Sequence, residues 1–175
     1  MGKIKFKPKF MKELLQQFAA YNYWANNRMT DAILQMDESA HQQHVPNSFT
    51  NLYATILHMW DAESIWWQRM KLHEKLLIPS QTFNPNMKEA INGLISQSQL
   101  WADFVASASE MKLLHVFEYK NSHKEIFRQP LNEVVLHVFN HGTYHRGQLV
   151  TIMHALGQTK IPPTDFIVWS RKGKA

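Results

Sequence analysis

The chain has 175 residues, of which 45% are hydrophobic and 19% charged, shares typical of one globular domain rather than of a disordered segment. We therefore expect a single domain over residues 1–175. The absence of cysteine excludes disulfide bonds, thiolate metal ligands and cysteine nucleophiles. Because no signal peptide and no apolar run of about 18 residues is visible, we expect a cytoplasmic protein that does not span a membrane.

The net charge of +5 is concentrated at the two ends of the chain. We interpret residues 1–9 and 171–175 as flexible basic tails. A basic protein can bind nucleic acid, but no recognition motif and no basic helix face accompanies these tails. Nucleic acid is therefore not the partner that we expect.

Three segments carry apolar residues at every third or fourth position, which predicts amphipathic helices. They are residues 10–36, 48–71 and 87–108, with Ser48 as the N-cap of the second. His41 and His44 follow the first segment and are interpreted as plain loop residues. Proline and asparagine at 77–86 indicate a loop between the second and third helices.

In the last third of the chain the spacing of apolar residues first departs from the helical period and then returns to it. Residues 113–119 and 125–128 are rich in β-favouring side chains, which predicts a two-stranded hairpin packed on the helices. Pro130 and Gly157 mark the start and the end of a last long helix. Residues 161–169 are predicted to be ordered but irregular.

Histidines form the most informative pattern in the chain. His137, His141 and His145 recur at four-residue spacing, so they lie on one side of the last long helix. Two imidazoles one turn apart can bind one metal ion. Spacing alone does not choose between the pair His137 and His141 and the pair His141 and His145. His58 on the second helix can supply a third ligand, which would leave coordination positions open for water or substrate.

Three charged residues lie near these histidines in the sequence. Arg146 would be repelled by a dication, so we expect its side chain to point away and brace the helix. Asp61, three residues after His58, is the one weak candidate for a catalytic base, while Glu63 faces another direction. Solvated helix surface is the simpler interpretation of both carboxylates.

Residues 136–148 (LHVFNHGTYHRGQ), taken with His58, residues 21–26 (YNYWAN) and the segment from Gly157 to residue 167, resemble the DinB family of damage-inducible proteins. Relatives of that family include YfiT-like metal-dependent hydrolases and bacillithiol-type transferases. The resemblance implies an all-α four-helix bundle in up-down-down-up order, with a short β-hairpin before the last helix, and a homodimer. It also implies that His58, His141 and His145 are the metal ligands and that His137 is not.

Three functions stay open, and a nucleic-acid-associated stress protein, suggested by the basic charge balance and the family's damage-inducible name, ranks last. One is a metal-dependent hydrolase or thiol transferase with a small-molecule substrate and one divalent ion, zinc or nickel in the first place. The alternative is a non-enzymatic, stress-related protein in which the metal is structural. A structural site is normally closed by four protein ligands, and the sequence offers no fourth.

Overall fold

The computed structural model describes residues 8–171, in which four long helices pack side by side as a bundle. The basic tails predicted at 1–9 and 171–175 lie largely outside these residues; within them, Pro8 begins the first helix and Arg171 ends the last. None of the helices between these limits is long and apolar enough to cross a membrane. In chain order the elements are α1 (Pro8–Leu34), a 3₁₀ helix (Glu38–His41), α2 (Leu52–Met70), α3 (Pro79–Thr82), α4 (Met87–Ser107), α5 (Glu110–Leu114), β1 (Val116–Lys120), β2 (Ile126–Pro130), α6 (Leu131–Ala155) and α7 (Phe166–Arg171).

Two buried apolar clusters, one at each end of the bundle, give the direction of every long helix. In the cluster beside the hairpin, the hairpin-end core, the starts of α1 and α6 meet the ends of α2 and α4. In the other, the far-end core, the ends of α1 and α6 meet the starts of α2 and α4. The helices therefore run up, down, down and up, which confirms the expected topology. The hairpin-end core includes Leu15, Trp101, Val105, Phe117, Val135 and Val138; the far-end core includes Ile33, Ile56, Ile91, Leu94, Leu149 and Ile152.

The ends of the long helices follow local capping chemistry. The prediction that Ser48 is the N-cap of α2 was wrong. Asn51 caps this helix, because its side chain accepts a 2.7 Å hydrogen bond from the backbone N–H of Ala54. Asn86 caps α4 in a reciprocal capping box with Glu89. Gly157 has a φ of 83° just after α6, a conformation that favours glycine, and so it ends the helix as predicted.

The hairpin is confirmed, with strand bounds shifted toward the C-terminus. β1 pairs antiparallel with β2, with Phe117 opposite Gln129 and Tyr119 opposite Phe127. The first residues of the predicted strand instead belong to α5, which is capped by Ser109. Because Phe117 is buried in the hairpin-end core, the hairpin covers that end of the bundle.

Residues 161–165 are ordered and irregular, as predicted, but Phe166–Arg171 form a helix, so the prediction was wrong for residues 166–169. The reason is aromatic packing on α1. Phe166, the first residue of α7, stacks on Phe18 with ring centroids 5.1 Å apart, and it meets Tyr21 edge-on. The hydroxyl of Tyr21 also donates a 2.7 Å hydrogen bond to the carbonyl of Thr164. These contacts hold the segment before α7 against the bundle.

Candidate metal centre

Three histidine side chains from two helices converge halfway along the bundle. The Nε2 atom of His141 lies 3.0 Å from that of His145 and 3.2 Å from that of His58. One ligand nitrogen from each ring lies within 4.8 Å of the others. α2 and α6 run antiparallel and pack together, and this brings His58 opposite the two histidines of α6. The structure thus brings together the three residues that the family resemblance implied.

The separation of these nitrogens fits the coordination shell of a small divalent ion. Ligands 2.0–2.1 Å from a tetrahedral ion lie about 3.3 Å from one another. The observed spacings of 3.0 and 3.2 Å are therefore within a few tenths of an ångström of that value. Imidazole nitrogens are good ligands for zinc, nickel, copper and iron. The donor set and its spacing both suit such an ion.

Gln148 fixes the orientation and the tautomer of His145. The Nδ1–H group of His145 donates a 2.7 Å hydrogen bond to Oε1 of Gln148, which in turn donates through Nε2 to the hydroxyl of Tyr144 at 3.2 Å. A neutral imidazole carries one proton, so a protonated Nδ1 leaves the lone pair on Nε2. That lone pair points toward the other two rings. A hydrogen bond of this kind is the usual support of a metal-binding histidine.

The histidines of the cluster are held in their neutral form. Burial, followed by the charges of His145, His58 and His137, lowers the pKa of His141 to about 4. Burial is also the main reason that the pKa values of His58 and His145 are lowered. Since metal ions bind the deprotonated ring, the three side chains are ready to bind at neutral pH without releasing a proton.

Aromatic rings cover one side of the cluster. Phe49 stacks on His58 with ring centroids 4.4 Å apart, and it meets His145 edge-on with ring centroids 5.6 Å apart. The ring centroid of Tyr144 lies 5.0 Å from that of His145, and Tyr144 is 61% exposed. His145 is itself buried, while His58 and His141 are half-buried. The cluster is therefore close to the surface and partly accessible.

His137 stands apart from the convergent nitrogens. Its side chain is exposed, its ring centroid is 5.9 Å from that of His141, and its nearest aromatic partner is Trp66 at 5.2 Å. The group of ligand atoms within 4.8 Å of one another contains the other three histidines. Spacing along the helix could not make this distinction.

Arg146 points away from the histidines, as expected. It is 2% exposed, and its Nη1 group donates to Oδ1 of Asn22 at 2.8 Å and of Asn26 at 2.7 Å. Nη2 donates to the Thr143 hydroxyl at 2.8 Å. Gly142 allows this contact with α1, since a Cβ there would lie 2.8 Å from Oδ1 of Asn22. Arg146 therefore braces α6 against α1 directly behind the cluster.

Glu63 corrects one of our expectations, because it is buried rather than solvated. It is 3% exposed, and one carboxylate oxygen accepts hydrogen bonds from Asn22 at 3.0 Å and Asn26 at 3.3 Å. The other accepts from the Ser98 hydroxyl at 2.9 Å. Burial raises the pKa of Glu63 to about 7, although these hydrogen bonds and the charge of Arg146 oppose the shift. The two asparagines thus connect a carboxylate of α2 to a guanidinium of α6.

Asp61 is tied to the start of α3. Its two carboxylate oxygens accept hydrogen bonds from the Ser80 backbone N–H at 2.9 Å and from the Ser80 hydroxyl at 2.5 Å. The side chain is half-buried, so it is only partly solvated. Its charge acts on His58 and opposes the lowering of that pKa. The suggested role of Asp61 as a base stays a prediction.

Comparison with known proteins places these features in a wider group. The model of the DinB family matches residues 11–171. Protein DinB of Bacillus subtilis (strain 168) is 21% identical over 165 residues, which cover 89% of this chain and 93% of that protein. Among solved structures, YfiT from Bacillus subtilis, described as a probable metal-dependent hydrolase with an unusual four-helix bundle topology, superposes with a TM-score of 0.66. The match covers 91% of this chain and 94% of YfiT at 16% identity, a level that shows the fold alone.

Proposed function

This chain belongs to the DinB family, and from that premise we propose that it binds one divalent metal ion through His58, His141 and His145 and uses it in a hydrolytic reaction. The observation that carries the proposal is the convergence of three Nε2 atoms at 3.0 and 3.2 Å from two helices. Zinc and nickel are the ions that we put first, because both accept imidazole ligands.

The site is proposed to be open. Within residues 8–171, no fourth histidine or carboxylate joins the three histidines in one ligand group. Catalytic zinc sites have this form, with three protein ligands and a remaining position for water or substrate. A bound ion would supply Lewis acidity and lower the pKa of a water molecule toward about 7. The half-exposed side of the cluster, next to Tyr144, is where a small-molecule substrate would enter.

The protein's own groups would position and support this chemistry. Gln148 holds His145 so that its Nε2 lone pair faces the ion. Asp61 is the carboxylate proposed to accept a proton, since its charge reaches His58. Both of its oxygens already accept from Ser80, so acting as a base would require one of these hydrogen bonds to break. Thiol transfer at the same open site is the second reaction class that we propose to test.

A structural metal is the alternative, and one observation favours it. The three ligands come from α2 and α6, so a bound ion would join two helices of the bundle. Zinc-loaded and apo protein should then differ strongly in thermal stability, because an ion that binds only the folded state stabilises it. The homodimer implied by the resemblance also stays a prediction, which analytical ultracentrifugation would check.

The test of activity is a panel of substrates with the zinc- and nickel-loaded protein. p-Nitrophenyl esters and anilides report hydrolysis, and thiols mixed with chlorodinitrobenzene report transfer. We expect turnover in one class that disappears in His145→Ala and persists in His137→Ala. Turnover that is equal in metal-loaded protein, apo protein and His145→Ala would contradict a catalytic role for the site.

Replacing Gln148 is expected to weaken metal binding without removing a ligand. Gln148→Ala leaves the Nδ1–H of His145 without its acceptor, and loss of such a partner typically costs about 10–100-fold in metal affinity. Gln148→Glu keeps an acceptor at the same place and should retain most of the affinity. Competition with a chromophoric zinc chelator measures both variants.

The matched control is Gln99→Ala, in which the lost side chain bonds only to Asp103 on the exposed face of α4. Its zinc affinity should equal that of the wild type. An unchanged affinity in Gln148→Ala would show that the hydrogen bond to His145 does not support the ligand.

A further inference from the structure

Arg69, near the end of α2, is clamped between two aromatic rings. Its guanidinium carbon lies 4.8 Å from the ring centroid of Trp66 and 5.6 Å from that of Tyr119 on β1. The two rings also contact each other edge-on at 5.0 Å. Stacking of this kind fixes the plane of the guanidinium, so its donors have a defined direction.

Apart from the two rings, the positive charge of Arg69 has no partner, because no carboxylate among residues 8–171 forms an ion pair with it. Its guanidinium donates no hydrogen bond to any of these residues, and its Nε atom is buried without an acceptor. The ion pair in the hairpin beside it joins Glu118 to Arg128 at 2.9 Å, so the carboxylate of Glu118 already has a cationic partner. A fixed and partly buried guanidinium without an acceptor is costly, and this cost is relieved when an anion binds.

A cavity of about 360 Å³ opens at this guanidinium, between the end of α2 and the hairpin. Lys120 adds a second cation to its lining, while Glu118 is already paired. Leu72 and Leu76 provide apolar surface. Leu72 has a φ of 58°, which is unfavourable for leucine, and its side chain is 67% exposed at the cavity. The lining thus combines an apolar wall with two cations and two carboxylates, Glu74 and the already paired Glu118.

We propose that this space, the Arg69 cavity, binds a small organic acid. The carboxylate accepts hydrogen bonds from Arg69, whose planar donors match its two oxygens, and Lys120 adds charge attraction. The apolar body of the acid packs on Leu72 and Leu76. Glu74 also lines the cavity and is exposed, so an acid with a single negative charge fits better than a polyanion. This site does not depend on a metal ion.

The test follows the Nε–Hε resonance of Arg69 in the full-length protein labelled with ¹⁵N-arginine and assigned through Arg69→Lys. Benzoate is the probe, and benzamide is the neutral probe of the same shape. We expect a saturable shift with benzoate and none with benzamide. Inorganic phosphate, which lacks the apolar body, should bind more weakly than benzoate.

Two arginine-to-lysine variants distinguish specific binding of benzoate at Arg69 from non-specific attraction to positive charge. Arg69→Lys should weaken benzoate binding about tenfold or more, since a charge-assisted pair is lost. The affinity is measured at the backbone amide of Lys120 in uniformly ¹⁵N-labelled protein. Arg28→Lys is the matched control, because Arg28 also stacks on a tryptophan and has a buried, unpartnered Nε. It should leave the affinity unchanged.

Leu72→Gly provides a second check, because it relieves the positive φ and removes part of the apolar wall. We expect a more stable protein with weaker benzoate binding. Equal shifts with benzoate and benzamide, a shift that never saturates, or equal weakening by Arg28→Lys and Arg69→Lys would each overturn the proposal.

Discussion

Replacement of His141 by alanine is expected to lower the affinity for zinc about a hundredfold or more. His141 is the central ligand, with its Nε2 at 3.0 and 3.2 Å from the other two. Structural zinc sites with four ligands bind with about 10–16 kcal/mol, which is about 2.5–4 kcal/mol for each ligand. Removal of one ring of three therefore leaves a pair that cannot hold the ion against dialysis. Elemental analysis and chelator competition measure the loss.

His137→Ala is the matched control for this variant. His137 lies on the same helix, one turn before His141, but it is exposed, packs on Trp66 and lies outside the group of converging ligand atoms. We expect one zinc ion per chain in His137→Ala, bound as in the wild type. If His137→Ala and His141→Ala lost zinc equally, the assignment of the three ligands would be wrong.

The second large effect is expected from Glu63→Gln and depends on pH. Burial raises the pKa of Glu63 in the folded protein to about 7, from an ordinary value of 4.5. Below pH 4.5 the carboxyl is protonated in both states. Between pH 4.5 and about 7 the unfolded chain releases the proton while the folded one keeps it, so stability falls as the pH rises. A shift of this size corresponds to about 3 kcal/mol.

The glutamine side chain at position 63 cannot titrate, so Glu63→Gln should not show this fall in stability. Relative to Glu63→Gln, the wild type should lose about 3 kcal/mol of unfolding free energy from pH 4.5 to 7. Above pH 7 the difference between the two proteins should no longer change. The buried histidines act in the opposite sense, because lowered pKa values add stability as pH rises, but both proteins share this contribution. Urea unfolding of the apo proteins in EDTA, from pH 4.5 to 8, gives the difference. A difference that is independent of pH would contradict a buried, protonated Glu63.

Sequence reasoning found the long helices because their apolar residues repeat at the helical period. It could not choose among the three histidines of α6, since both neighbours of His141 are four residues away. Which two histidines of α6 meet His58 depends on the axial register of α2 against α6. In the folded chain His58 meets His141 and His145, and Trp66, two turns later on the antiparallel α2, meets His137. That register arises from packing along both helices and is not visible in either one.

The buried polar network was missed for a related reason. Glu63, Asn22, Ser98 and Arg146 lie on four different helices, and each alone looks like an ordinary surface residue. The one local signal was the pair Asn22 and Asn26, one turn apart among aromatic residues of α1. Two amides on a buried face need polar partners, and only the assembled bundle shows which ones.

X-ray absorption spectroscopy at the zinc edge of the zinc-loaded protein tests the three-histidine site most directly. We predict three imidazole nitrogens at about 2.0–2.1 Å together with one oxygen from solvent, and that oxygen should be replaced when acetohydroxamate is added. The His137→Ala protein should give the same spectrum. A shell with fewer than three imidazoles, or one closed by a fourth protein ligand that acetohydroxamate does not displace, would contradict the open site.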